Sequence, residues 1–290
     1  WGPTADIRSS AWIAQATVSV IKAEDPTLAL CYLPHLDYDL QRFGPDGPEA
    51  IRAATEIDNV AGDLIDYARG VGYEVLVVSE YGITEVSQPV HINRVLREAG
   101  HLRAQRVDTG WELLDGGASD AFAVADHQVV HVYVRNPEKR AQIKVLLEGI
   151  DGVERVLDRD GQAEFGLDHP RSGDLVAIAS AGCWFTYYYW LDDAVMPDFA
   201  PTVDIHRKPG YDPAELFVNP DLMAPKLRVA ARLLRKMLGM RYYMDLIPTR
   251  ADMVRGSHGR VESSPDDGAV LLSSTGLGAC DSAHMTDVYQ

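Results

Sequence analysis

Between residues 32 and 48 the chain reads YLPHLDYDLQRFGPDGP, which places His35, Asp37, Asp39 and Gln41 within seven positions, between an apolar run and a Gly-Pro turn. Carboxylates and imidazoles at this density suit a divalent cation. On an extended segment residues two apart point the same way, so His35 and Asp37 would face one ion. The other reading is a plain polar loop leaving a buried strand. Asp204 and His206 repeat the same spacing in the Pro-rich loop PTVDIHRKPGYDPAELFVNP (201–220), and His91, two residues after Pro89, is a further candidate. Asp126 and His127 form a ligand pair on paper, but they fall in a small α+β segment, where a structural role is the reading adopted.

These residues need elements to hold them. The run TLALCYL (27–33) is short, continuous and apolar, as a strand buried on both faces would be. Residues 51–73 carry Ile51, Ile57, Val60, Leu64, Ile65 and Ala68 at helical spacing, and EVLVVSEYGI (74–83) follows as a second apolar strand. Strand, long helix, strand is the pattern of a parallel sheet, whose ligand sites lie past the carboxyl ends of its strands. Asp37 and Glu80 stand at such ends. From about 105 to 180, AFAVADHQVVHVYV predicts a strand pair, PEKRAQIKVLLEGIDGV a helix, and ERVLDRDGQAEFGL and DLVAIA further strands. The aromatic run CWFTYYYWLDD (183–193) is either a packing segment or a wall for a substrate ring, with Trp184 and Tyr187 as its contacts. PKLRVAARLLRKMLG (225–239) predicts an amphipathic helix, and AVLLSS (269–274) a last short strand.

At 290 residues, 46% hydrophobic and 24% charged, the chain is long enough for one large domain with a subdomain. No apolar run approaches the roughly 20 residues a bilayer crossing needs, and WGPTADIRSS lacks the regions of a secretory signal, so the expectation is a cytoplasmic protein with no membrane partner. A net charge of −16 disfavours nucleic-acid polymers, whose affinity rests on Lys and Arg, and favours metal ions. Cys31, Cys183 and Cys280 are few and widely spaced, as reduced core thiols would be. Neither GxxxxGK[ST] nor GxGxxG occurs, which argues against a phosphate-cradling nucleotide loop.

In order, LxxxDxxxQRFGPDGP, a helix, VVSEYGI, an inserted segment, RGSHGR and TDVY resemble the alkaline phosphatase superfamily, and within it the type I phosphodiesterase/nucleotide pyrophosphatase branch. The resemblance spans about 27–290 and implies an α/β fold with a mainly parallel sheet flanked by helices. Residues 1–104 and 183–290 would form the core, and 105–182 a small α+β cap. It implies two divalent ions, zinc by preference, or manganese or magnesium. Asp37 matches the aspartate of the family's first motif in this region and His258 the histidine of GSHG. Gln41, Glu80 and Tyr81 stand where the family has His, Asp and His, and His35 and His206 are tentative substitutes. The implied activity is hydrolysis of a small phosphorylated substrate such as a nucleotide, with the hydroxyl nucleophile on a missing N-terminal segment of the same protein. A non-catalytic binding homologue, a phosphomutase and a phosphonate hydrolase are the alternatives. The absence of C-x-P-x-R makes a sulfatase the least favoured.

Overall fold

The structure is a computed structural model that describes residues 1–261, 264–276 and 287–288. In chain order the helices are α1 (Ile7–Glu24), α2 (His35–Phe43), α3 (Pro48–Gly70), α4 (Ile92–Glu98), α5 (Arg140–Glu148), α6 (Arg159–Glu164) and α7 (Pro225–Met237). The strands are β1 (Leu76–Val78), β2 (Thr84–Val90), β3 (Ala104–Arg106), β4 (Glu112–Leu114), β5 (Ala121–Asp126), β6 (Val129–Val134), β7 (Val153–Leu157), β8 (Leu175–Ala179), β9 (Gly182–Phe185), β10 (Gly256–Ser257) and β11 (Leu271–Ser273). The chain divides into two compact units. A helical unit joins 5–84 to 261–290, and a sheet unit joins 1–4 to 85–260.

In the helical unit, α1 starts at Asp6, whose side chain accepts the Arg8 amide, and stops at Asp25 in the left-handed region. Pro48 opens α3, where its missing N–H costs nothing. α3 packs on α1 and α2. The buried apolar residues here are mostly small, Ala14, Ile21, Tyr38, Ala50, Ala53 and Ala68. β1 and β11 pair antiparallel, Leu76 opposite Ser273 and Val78 opposite Leu271.

Two expectations fail in this unit. Residues 27–33 form no strand, and Leu28, Leu30 and Tyr32 stand exposed. Residues 35–43 form a helix instead of a loop, because His35, Tyr38 and Gln41, three apart, make a buried face that polar side chains disguise. His35 and Asp37 are therefore two helical positions apart and point in different directions.

The sheet unit holds the main core. β5, β6, β8 and β7 lie in that order, and each pair is antiparallel. β2 and β9 run parallel, and β10 lies on the other side of β2. The expected mainly parallel sheet is thus a mixed α/β arrangement of mostly antiparallel sheets. A two-residue hairpin joins β5 to β6 with far less chain to close than a crossover demands. The helix expected over PEKRAQIKVLLEGIDGV and the AFAVADHQVVHVYV strand pair both form.

All seven residues from Trp184 to Trp190 are at most 1% exposed, so the aromatic run is core. Trp184 and Tyr187 present no ring surface to a substrate. Asn93, fully buried on α4, donates to Ala123 O and accepts from Ala123 N, both at 2.8 Å, which satisfies the outer edge of β5. Further along that edge Tyr211 N donates to Ala125 O, with Gly210 bridged to Ala125.

Cys183 is buried and Cys31 partly so; Cys280 and most of the C-terminal HMTDVYQ lie outside the described residues.

Candidate functional site

The edge contacts just described fix the end of β5, where a two-residue turn, His127-Gln128, leads into β6. His127 adopts a left-handed backbone, φ +57°, unusual for a side chain of its size. Hydrogen bonds hold it there: Phe185 N donates to His127 O at 2.7 Å, Gln128 N to His258 O at 2.8 Å, and Gln128 Nε2 to Cys183 O at 3.0 Å. The turn brings His127 onto His258, their ring centroids 3.9 Å apart and inclined 31°. Tyr211 covers the other side of His127 at 4.5 Å.

Asp126 Oδ1 sits 2.7 Å from His127 Nδ1. The carboxylate accepts, so Nδ1 donates and Nε2 is the ring nitrogen left over. That Nε2 is buried and has no hydrogen-bond partner. The His127 hydrogen bond, ahead of the opposing effect of burial, holds the Asp126 carboxyl below its usual value. Burial, and then the neighbouring His127, push His258 down to about 3 against the pull of Asp126. His258 is therefore neutral at physiological pH, the form in which imidazole binds a metal.

Beside this pair lies an open cavity of about 350 Å³ whose lining includes Asp126, His206, Lys208, Gly210 and Tyr211. His206 is exposed on its rim. Lys208 is committed elsewhere: its Nζ lies 2.6 Å from Glu215 Oε1 and 3.1 Å from Asp212 Oδ2, all three side chains being buried.

In the helical unit, Asp37 Oδ2 accepts from Tyr81 Oη at 3.1 Å and from Tyr32 Oη at 3.5 Å. Burial and then the charges of Asp37 and Glu80 push Tyr32 up to about 12, which places both carboxylates near one phenol. Gln41, one turn beyond Asp37 on α2, is 1% exposed and its Oε1 has no partner. His35 is drawn away, with Nε2 2.9 Å from Glu56 Oε2.

The two donor sets differ in chemistry. His127 and His258 offer imidazole nitrogens, the ligands zinc prefers, whereas Asp37, Glu80, Gln41 and Tyr81 offer oxygens, which suit manganese or magnesium. Each set holds one buried atom without a hydrogen-bond partner, Nε2 of His127 and Oε1 of Gln41. Among the described residues, however, no three His, Cys, Asp or Glu side chains are gathered to hold an ion.

His258 was legible from GSHG alone. His127 was singled out with Asp126 as a ligand pair on paper but read as structural, because only the strand register puts it in the turn facing His258.

The description Type I phosphodiesterase / nucleotide pyrophosphatase matches residues 1–212. Similar solved structures include phosphonoacetate hydrolase from Sinorhizobium meliloti, 19% identical with TM-score 0.44, covering 62% of this chain and 43% of that one. Human ectonucleotide pyrophosphatase / phosphodiesterase 5 is 15% identical with TM-score 0.45, covering 64% and 46%. Its murine counterpart is 16% identical with TM-score 0.46, covering 86% and 65%. The chain thus spans 43% to 65% of the length of these structures. No curated protein matches it significantly.

Proposed function

The chain belongs to the type I phosphodiesterase / nucleotide pyrophosphatase family, within the alkaline phosphatase superfamily, and from that premise we propose that it takes part in metal-dependent hydrolysis of a small phosphate diester or pyrophosphate. The observation that carries the reading is the imidazole pair, in which His127 is buried and held by Asp126 so that its unpartnered nitrogen lies near a half-buried, neutral His258. Bound divalent ions would supply positive charge to the phosphoryl oxygens as the ester bond breaks.

The chain's own residues do the rest. His258 and His127 are the nitrogen ligands of the sheet unit, and Asp126 fixes the tautomer and ring orientation of His127. Asp37 and Glu80, with Gln41 and Tyr81 as weaker oxygen donors, are the ligands of the helical unit. The Tyr81 phenol holds the Asp37 carboxylate in one orientation. Residues 105–182 act as the cap, and its β5–β6 turn contributes His127.

The test is hydrolysis of bis(p-nitrophenyl) phosphate by the protein stripped with chelator and resupplied with Zn²⁺, Mn²⁺ or Mg²⁺, with bound metal measured in parallel. Asp126→Asn removes only the orienting charge and is expected to weaken metal binding roughly 10- to 100-fold in a folded protein. His258→Ala and Asp37→Ala are each expected to lower metal content. Full metal retention in all three variants would overturn the ligand assignment. The lack of a three-ligand cluster among the described residues favours one other reading, a homologue that binds its ligand without cleaving it. Binding of substrate with no turnover under any ion would establish that reading instead.

A further inference from the structure

α7 lies beyond the span of the family match and is mounted in an unusual way. None of its thirteen residues is buried. A helix on a globular protein ordinarily turns its apolar stripe inward. Here the side held to the protein is basic: Arg228 pairs with Asp245, and Arg232 NH2 lies 3.3 Å from the same carboxylate. At 100° per residue, Leu227, Leu234 and Leu238 fall within about 40° of one another and about 80–160° from those arginines. They are 72%, 57% and 65% exposed, and Met237 on their flank is 83% exposed. Met223 before the helix and Met240 after it extend the apolar strip.

The charge on this helix is as telling as its apolar strip. Five of the chain's 27 Lys and Arg lie in α7, which has no Asp or Glu, in a chain of net charge −16. Lys226 borders the leucine strip on one side and Arg235 on the other, where long basic side chains can reach past an apolar layer to anionic groups. A second copy meeting this face about a twofold axis would bring those cations against their own kind. An anionic lipid surface satisfies both the strip and its border, with the leucines among the acyl chains and the cations on the headgroups. At about 20 Å the helix is too short to cross a bilayer, and among the described residues no helix is long and apolar enough to do so.

We propose that α7 is a docking helix that seats the protein on anionic membrane surfaces through Leu227, Leu234 and Leu238. This proposal departs from the sequence expectation of no membrane partner, which rested on the lack of an apolar run long enough to cross a bilayer.

The experiment is sedimentation of the full chain with phosphatidylcholine vesicles, with and without roughly 30% phosphatidylserine, at about 0.1 M salt. The expected result is co-sedimentation with the anionic vesicles only. Leu227→Glu/Leu234→Glu/Leu238→Glu abolishes it, and Lys226→Gln/Arg235→Gln weakens partitioning roughly 30-fold. These side chains are exposed, so an unchanged thermal melt verifies that each variant folds. The proposal is overturned if anionic vesicles leave the protein in the supernatant, if neutral vesicles bind it equally, or if the triple variant still binds. A concentration-dependent dimer that the triple variant abolishes, with no vesicle binding, would assign the face to a second copy and likewise overturn it.

Discussion

At the residue scale, burial sets the charge of key histidines. His91, with Nδ1 2.7 Å from Thr186 Oγ1 and its ring stacked on Tyr188, is pushed down to about 4, first by burial and then by the Arg94 charge, with Asp193 opposing. His258 is pushed lower still, to about 3. An unfolded histidine titrates near 6.5. Between that value and the folded one the unfolded chain binds more protons, so stability is fully present above about pH 6.5 and is lost as pH falls towards 4 and then 3. The melting temperature is expected to drop between pH 7 and pH 5, and His91→Gln should flatten part of that slope. An unchanged melting temperature across the interval would count against this assignment. The carboxylates with lowered pKa, such as Asp126, titrate below this window and do not confuse it.

At the element scale, what positions the site is the edge of β5. Gly210, at φ +140°, lies so close that an added Cβ would stand 2.8 Å from Ala125 O and 3.0 Å from the Tyr187 Cβ. Gly210→Ala is therefore expected to cost about 1–3 kcal/mol, read as a lower urea midpoint at unchanged slope. Gly62, in α3 with nothing within 4 Å, is the control: alanine there should add up to about 1 kcal/mol.

Elements with an unbroken period were legible from sequence. α3, α5, α7 and the β5–β6 pair all form close to where their patterns put them. The run at 27–33 misled because a continuous apolar stretch signals burial only when partners cover it, and Leu28, Leu30 and Tyr32 are left uncovered. α2 was hidden for the opposite reason, since two of its buried positions, His35 and Gln41, are polar. Of the candidate site, Asp37 and His258 could be read from local motifs, whereas His127 depends on strand register, which no local pattern encodes.

At the scale of the whole molecule, the two units differ in how much they bury. The sheet unit holds a continuous core from Val86 to Val254 that includes all six aromatic side chains between Trp184 and Trp190. The helical unit buries chiefly alanines along α1 and α3. Apolar area decides which parts open first. Amide hydrogen exchange is expected to be slowest in β5, β6 and β8 and markedly faster throughout α1 and α3. Equal protection in both units would contradict this ordering.

The β1·β11 ladder carries a consequence for handling. Leu76, Val77 and Val78 are all exposed, as are Leu272 opposite Val77 and Val270 just before β11. A two-stranded ribbon of this kind is marginal by itself, and an edge that pairs with no further strand among the described residues is a template for another strand. What keeps such ribbons apart in solution is colloidal repulsion between chains that each carry −16 charges at neutral pH. That repulsion vanishes near the isoelectric point of about 4.9. Acid purification steps thus strip away the electrostatic barrier just where the histidines begin to weaken the fold, and neutral, low-salt buffers are the conditions in which the chain stays dispersed.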